Sequence, residues 1–181
     1  MSSLSGPYSA PSPSQRWEKG VRYRPIGINR TGVASVCQIR PDAPEAIRGL
    51  EWICFGSTTF DALLPVYPNV KKIPAYLSNV TLDVSTENFY WASCLIGVLA
   101  DHNYNTSIQF VERYQNAVMS RGRRIVKEYD ERIGETGDIS LCEKANDELA
   151  KMAREESTKT LNFVLLESQK TMKNGYNRAD N

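Results

Sequence analysis

The sequence is poor in the residues that commonly bind metal ions. Among its 181 residues there is a single histidine, His102, and the four cysteines include no C-x-x-C pair. Zinc is usually held by closely spaced cysteine and histidine side chains, so this composition does not favour a zinc site. We therefore predict that the chain binds no metal.

Two further absences exclude classes of partner. Lysine and arginine together number 22 against 21 acidic residues, so no excess of positive charge favours nucleic acid or an anionic membrane surface. No stretch approaches the roughly 18 uninterrupted apolar residues that a membrane-spanning helix needs. We expect neither a nucleic-acid partner nor a membrane partner.

A secretion signal is not evident at the start of the sequence. Residues 1–15 have no basic start and no apolar run, which is unlike a cleavable signal peptide. We predict a cytoplasmic location, which an export signal on a preceding segment would change. With 41% hydrophobic and 24% charged residues, the chain has the composition of one soluble domain with a buried core.

The first half of the chain has the character of short strands. Proline, glycine and serine are frequent over residues 1–20 and predict an irregular lead-in. Thr31-Gly32 has the composition of a two-residue hairpin turn, and Pro65 indicates an edge strand because proline cannot donate to the sheet. The run Leu50–Gly56 has large residues on both faces, which predicts that it is covered on both sides. The predicted strands are Arg24–Arg30, Val33–Arg40, Leu50–Gly56 and Leu63–Tyr67.

Near residue 85 the pattern changes to helical periodicity. Ser85 or Thr86 is predicted to cap a helix over Glu87–Asp101. This helix has apolar side chains around nearly its whole circumference, which predicts burial within something larger. Its last residues are followed by His102, which we interpret as a helix-end residue that interacts with the C-terminal dipole.

Two longer helices are predicted after this one. Capping-box spacing at Thr106–Gln109 opens the first, and Gly134 and Gly137 stop it. The same spacing at Ser140–Glu143 opens the second, which runs to about Lys173. We expect the two helices to pair as an antiparallel hairpin through the short glycine-containing turn.

Three segments of the sequence carry a resemblance to a known family. They are Gly49-Leu-Glu-Trp-Ile-Cys-Phe-Gly56, Pro65-Val-Tyr-Pro68 and Ser85-Thr-Glu-Asn-Phe-Tyr-Trp91. In this order they resemble the C-terminal part of the bacterial dipeptidase A family, which belongs to the cysteine N-terminal-nucleophile (Ntn) hydrolases. Further similar segments lie at Ser5–Tyr8, Arg16-Trp17, Arg24–Ile26 and Asn177–Asn181.

The resemblance implies a fold and an activity. It implies an α+β fold in which residues 1–84 supply antiparallel strands that complete an αββα sandwich, and residues 85–181 supply helices outside it. The full enzyme would hydrolyse a dipeptide through an N-terminal cysteine nucleophile, with no metal and no organic cofactor. The first cysteine here is Cys37, so we expect this chain to be a C-terminal segment that lacks the nucleophile and is inactive alone. Assembly into a homo-oligomer is left open.

Two arginines are the candidate site residues that the resemblance implies. Arg16 would be an accessory catalytic residue whose fixed positive charge lowers the pKa of the nucleophilic thiol; the alternative is a solvated loop arginine. Arg24 would bind the terminal carboxylate of the dipeptide substrate with its planar guanidinium. Its alternative is a structural pair with a carboxylate elsewhere in the protein, and Arg30 is a weaker candidate for the same role.

The remaining conspicuous residues are interpreted as structural. Cys37, Cys54 and Cys94 lie among apolar neighbours, where a free thiol usually behaves as a small buried hydrophobe. Phe89-Tyr90-Trp91 is interpreted as core, and Arg121-Gly-Arg-Arg124 as a solvated basic face. A rival interpretation of the whole chain is a self-standing helical module whose long hairpin binds a partner, although such a module has no need of the strands.

Overall fold

The computed structural model describes residues 31–172, in which a three-stranded sheet packs against four helices. This α+β order of strands followed by helices confirms the predicted fold class. The predicted strand Arg24–Arg30 lies outside the described residues. The strands are β1 (Val33–Ile39), β2 (Gly49–Phe55) and β3 (Leu64–Val66), and the helices are α1 (Ala75–Ser78), α2 (Phe89–His102), α3 (Tyr104–Thr136) and α4 (Leu141–Lys170).

The sheet is antiparallel, with β2 between β1 and β3. Pro65 lies in β3, which has a single partner strand in the described part of the chain, as predicted from its missing N–H group. Next to it, the backbone N–H of Tyr67 donates to the Asn146 side-chain oxygen and the Asn146 amide donates to the Tyr67 carbonyl, both at 2.9 Å. The Asn146 amide of α4 thus pairs with the backbone of the residue that follows β3.

Helix α2 begins after Asn88 rather than after Ser85 or Thr86. The Asn88 side-chain oxygen accepts hydrogen bonds from the backbone N–H groups of Tyr90 and Trp91, at 2.9 and 3.4 Å. Asparagine is among the strongest capping residues, and the Ser85 hydroxyl instead accepts from the N–H of Glu87 in the preceding turn. The predicted cap was therefore a few residues too early.

The ends of α3 also differ from the prediction. The helix begins at Tyr104, and the Thr106 hydroxyl donates back to the Asn103 carbonyl instead of capping. The helix continues through Gly134 and ends at Gly137, whose φ of +68° is left-handed and whose N–H donates to the Ile133 carbonyl at 2.8 Å. Only the second of the two glycines is thus a stop signal.

Helices α3 and α4 form the predicted antiparallel hairpin. Arg121 on α3 pairs with Glu155 and Glu156 on α4, and further along α3 the Tyr129 hydroxyl donates to Glu148. The partner numbers fall on α4 as they rise on α3, which defines the antiparallel direction. The Ser140 side chain at the turn donates to Asp138 and does not cap α4.

Apolar surface is exposed on β1 and on the loop before α2, and little of it lies on α2. Helix α2 packs against β2, α3 and α4, and its large exposed apolar residue is Val98. In β2 only Leu50 and Cys54 are fully buried, so the predicted cover on both faces is incomplete. Strand β1 is instead exposed along nearly its whole length, as are several apolar residues of the loop before α2, namely Val80, Leu82 and Val84.

Strand β3 and helix α3 approach each other closely at Gly122. A Cβ atom at this position would lie 2.8 Å from Cδ and 2.9 Å from Cγ of Pro65. Gly122 is buried, so the interpretation of Arg121–Arg124 as a purely solvated face was wrong at this residue. The absence of a side chain is what permits this contact between strand and helix.

A buried carboxylate joins three elements of the core. Asp61 is 4% exposed and accepts hydrogen bonds from the Phe55 backbone N–H at 2.5 Å, the Ser93 hydroxyl at 2.8 Å and the Tyr114 hydroxyl at 3.3 Å. These donors belong to β2, α2 and α3 and are all uncharged. Burial raises the pKa of Asp61 from 3.8 to about 6, against the opposing effect of the hydrogen bonds.

Substitution of the two helical glycines should have opposite effects on stability. Gly122→Ala is expected to lower the free energy of unfolding by about 1 to 3 kcal/mol, because the new methyl group overlaps a rigid proline ring. Gly134→Ala, in the same helix with nothing within 4 Å of its Cβ position, should raise it by about 0.5 to 1 kcal/mol. Equilibrium urea unfolding measures both, and equal effects of the two substitutions would contradict the packing argument.

Asp61 should make the protein less stable as the pH rises. The pKa of Asp61 is higher in the folded than in the unfolded state, so folding takes up a proton between about pH 4 and pH 6. The stability that this proton contributes at low pH is therefore lost as the pH rises through that window. A change on the order of 3 kcal/mol is expected, and Asp61→Asn should remove this slope whatever its own stability. The control is Asp138→Asn, at an exposed carboxyl with a lowered pKa, which should keep the slope.

Candidate functional site

The arginines predicted to act in catalysis and substrate binding lie outside the described residues. Arg16, Arg24 and Arg30 all precede residue 31, so their roles stay predictions. The described chain starts beside the end of β2, where the Gly56 N–H donates to the Gly32 carbonyl at 2.9 Å.

Three of the four thiols are held in their neutral form. Burial, reinforced by the neighbouring Asp61 carboxylate, raises the pKa of Cys54 to about 12. Burial also raises the pKa of Cys94 and of Cys142. A thiol attacks as the thiolate, so these environments suppress nucleophilicity. Cys54 and Cys142 are buried as small hydrophobes, and Cys94 is half-buried.

Cys37 departs from the prediction of a buried thiol. It lies in the middle of β1, and its side chain is exposed. A reactive cysteine usually has a cation, a histidine or a helix N-terminus beside it. No hydrogen bond or ion pair to the Cys37 thiol occurs in this part of the chain. Cys37 is therefore rejected as the nucleophile because it lacks such partners in this part of the chain, and not because it is buried.

His102 lies in the last turn of α2, as predicted for a helix-end residue, and it is exposed. The described residues contain no cluster of three or more histidine, cysteine, aspartate or glutamate side chains that could hold a metal ion. None of their helices is long and apolar enough to cross a membrane.

A groove of about 680 Å³ lies between the sheet and α3. Trp52 lines the groove, and its indole N–H donates to the Gln38 side-chain oxygen at 2.9 Å. The Arg123 guanidinium lies over the Trp52 ring, 5.7 Å from its centroid. The sequence interpretation missed this pair, because nothing in the spacing of Trp52 and Arg123 places them together. The other walls are formed by Val36, Arg40, Leu50, Leu63, Met119, Val126, Lys127 and Asp130.

Two residues that line the groove, Arg40 and Asp130, form an ion pair, and Tyr67 is hydrogen-bonded to Asp130. Arg40 pairs with Asp130 and also donates to the Ile47 carbonyl. The Tyr67 hydroxyl donates to Asp130 at 2.8 Å and to the Val126 carbonyl at 3.1 Å, and burial raises its pKa well above the ordinary value. Asp130 is thus paired with Arg40. The other two cations of the groove, Arg123 and Lys127, are not paired with Asp130.

A smaller cavity of about 360 Å³ lies beside the start of β1. Gly32, Gly56, Tyr90 and Cys94 contribute to its walls. Gly56 has a φ of +73°, and a Cβ atom there would lie 3.6 Å from the Cys94 sulfur. Burial raises the pKa of the Cys94 thiol, so this cavity offers no activated nucleophile among the described residues.

Comparison with known proteins identifies relatives over most of the chain. The model of Peptidase family C69 matches residues 5–117. A dipeptidase of Bifidobacterium longum is 33% identical over an alignment of 199 positions including gaps, and the match covers 87% of this chain and 37% of the relative. A probable dipeptidase A of Streptococcus pyogenes serotype M18 is 34% identical over 160 residues, 87% of this chain and 33% of the relative. Dipeptidase A of Lactobacillus helveticus is 30% identical over 138 residues, 76% and 29% of the two chains.

The chain spans about a third of the length of these relatives. The family match contains the three segments that carried the resemblance, Gly49–Gly56, Pro65–Pro68 and Ser85–Trp91. It also extends across the sheet, α2 and the first part of α3. The resemblance to the dipeptidase A group is confirmed, and the chain belongs to Peptidase family C69.

Proposed function

We propose that this chain is the C-terminal part of a dipeptidase that cleaves its substrate through a cysteine carried on another segment. The observation that supports the activity most directly is the 33% and 34% identity to proteins named dipeptidase and probable dipeptidase A. The proposed reaction begins when a thiolate adds to the dipeptide carbonyl carbon and the amine leaves with a proton. Water then hydrolyses the acyl-thioester, which releases the carboxylate and restores the thiol.

The thiol environments support a nucleophile outside the described residues. Cysteine catalysis needs a thiolate, a base and donors for the oxyanion. Cys54 has a pKa of about 12 beside a carboxylate, which is the reverse of activation. Burial also raises the pKa of Cys94 and of Cys142, and Cys37 makes no hydrogen bond or ion pair within residues 31–172.

The role proposed for residues 31–172 is that of a scaffold. Asn146 ties the backbone after β3 to α4, and the Gly122–Pro65 contact ties β3 to α3. Sheet and helical hairpin therefore form one packed unit. This favours a part of an enzyme over the rival interpretation, a self-standing helical module, in which the hairpin would not need the strands.

The roles proposed for Arg16 and Arg24 follow from the resemblance alone. Arg16 would stabilise the thiolate of the nucleophile, and Arg24 would bind the dipeptide carboxylate. Both precede β1 in sequence, and the described chain enters the fold at Gly32, beside Gly56. That end of the sheet is where we place the search for the substrate site.

The chain alone should hydrolyse no dipeptide, whereas a complete polypeptide should. The complete form is a chimera in which this chain replaces the matched region of the Bifidobacterium longum dipeptidase. Release of free amino acids from a panel of dipeptides measures both proteins, and turnover is expected only for the chimera. The physical reason is that the proposed nucleophile is not among the described thiols.

Two outcomes would overturn the proposal. The first is turnover by the purified chain alone that Cys37→Ser abolishes, which would make Cys37 the nucleophile. The second is a folded, monomeric chimera with no activity on any dipeptide, since the family resemblance would then not extend to the reaction.

Replacement of the exposed thiol should matter little. Cys37→Ser is expected to leave the turnover of the chimera within a few-fold and to change the free energy of unfolding by less than about 0.5 kcal/mol, as for most surface substitutions. Cys142→Ser is the matched control, because it places a hydroxyl at a fully buried position and should cost about 1 to 3 kcal/mol. Thermal or urea unfolding together with dipeptide turnover separates a structural loss from a catalytic one.

A further inference from the structure

Asp61 is a buried carboxyl group that the proposed reaction does not use. It is 4% exposed, and the groups that donate to it are the backbone N–H of Phe55 and the hydroxyls of Ser93 and Tyr114. No lysine, arginine or histidine of residues 31–172 forms an ion pair with it. Burial of a charge is costly where no opposite charge lies beside it, so this site accommodates the ionised carboxylate less well than water does.

The surroundings of Asp61 favour opposite protonation states. Three donors directed at its two oxygens suit the ionised carboxylate, which only accepts hydrogen bonds. The protonated acid has to donate, and the hydroxyl of Ser93 or Tyr114 must then turn and accept. Burial acts in the other direction and raises the pKa of Asp61 to about 6. The folded protein therefore binds and releases this proton only a little below neutral pH.

The titratable groups that face Asp61 from other elements stay neutral in this range. They are the thiols of Cys54 on β2 and Cys94 on α2, and the phenols of Tyr76 on α1 and Tyr114 on α3. Burial raises the pKa of each of these four groups. A thiol or phenol with a raised pKa is uncharged below about pH 8. Among these groups, Asp61 is thus the one whose charge changes between about pH 4 and pH 7.

Asp61 ends a turn that is joined to the start of β1. The Ser57 carbonyl accepts from the backbone N–H groups of Phe60 at 2.9 Å and Asp61 at 3.2 Å, and the Gly56 N–H donates to the Gly32 carbonyl at 2.9 Å. The Asp61 side chain reaches back across this turn to the last backbone N–H of β2. The turn also forms one wall of the cavity of about 360 Å³. Its opening would therefore change both the cavity and the hydrogen bond at the start of β1.

We propose that Asp61 is a pH-dependent switch for the turn Gly56–Asp61, which opens more readily when the carboxyl group is ionised than when it is protonated. Opening exposes the carboxylate to water, whereas closing returns it to a site without an opposite charge. The ionised form thus gains more from opening than the neutral acid does. Local opening of this kind occurs without unfolding of the whole chain. The switch is a property of the folded chain and does not depend on the proposed dipeptidase reaction.

Hydrogen exchange of the Phe60 amide in the purified chain measures the switch. The rate divided by that of an unstructured peptide at the same pH gives a protection factor for the turn. We expect this factor to fall by at least about tenfold between about pH 4.5 and pH 7, because opening lowers the pKa of Asp61 from about 6 toward its ordinary 3.8. The Gly137 amide, which donates to Ile133 at the end of α3, should change by less than about twofold.

Urea separates opening of the turn from unfolding of the whole chain. Opening of one turn exposes little surface, so exchange of the Phe60 amide should be insensitive to low concentrations of urea. Amides that exchange only through global unfolding should be accelerated by the same urea, because global unfolding exposes much more surface.

Three substitutions separate the proton from the packing. Asp61→Asn cannot ionise, so the pH dependence of Phe60 protection should disappear. Gln115→Ala is the matched control, because its amide donates to the Thr59 and Asp61 carbonyls at 3.0 Å; its loss should lower protection similarly at every pH and keep the pH dependence. Tyr114→Phe keeps the carboxyl group but removes a donor to its ionised form, so the fall in protection should move to higher pH.

Three results would overturn the proposal. They are a Phe60 protection factor that does not change with pH, a pH dependence that persists in Asp61→Asn, and a pH dependence seen only in exchange that urea accelerates. The last result would assign the effect of Asp61 to the stability of the whole fold and not to the turn. None of these measurements involves dipeptide hydrolysis, so failure of the switch would leave the proposed function unaffected.

Discussion

The close approach of β3 to the helical hairpin is the constraint on which the rest of this structure depends. Gly122 lets α3 lie against the Pro65 ring, and Asn146 of α4 supplies donor and acceptor to the backbone of Tyr67. The contact fixes the sheet to both long helices at once. From there Tyr67 holds Asp130, and Asp130 holds Arg40 at the far side of the sheet. A chain of short polar contacts thus orients β1 as well.

This arrangement protects one edge of the sheet and leaves the other open. An amide of α4 covers the backbone beyond β3, whereas β1 exposes apolar side chains on both faces in the described residues. The chain spans about a third of the length of its relatives. Burial raises the pKa of Cys54, Cys94 and Cys142, which makes these three thiols structural.

Local sequence signals predicted the elements better than their ends. The strands at Val33–Arg40, Leu50–Gly56 and Leu63–Tyr67 each lie within about two residues of the observed bounds, because alternation and turn residues act locally. The predicted helix ends were wrong where two nearby residues could both act as the cap or the stop signal. Asn88 wins over Ser85 because its side chain can reach the free N–H groups of the first turn, and Gly137 ends α3 because it adopts the left-handed conformation.

The sequence by itself determined the family, the order of strands and helices and the antiparallel hairpin, since motifs and periodicity are properties of neighbouring residues. Only the tertiary structure decided which side chains meet across long distances in the chain. Asp61 became a buried carboxylate because β2, α2 and α3 converge on it, and Arg123 reached Trp52 because α3 crosses the sheet there. The exposure of Cys37 is the clearest case. Its apolar neighbours predicted burial, but burial depends on what packs against both faces of a strand, and that is set by the assembled fold.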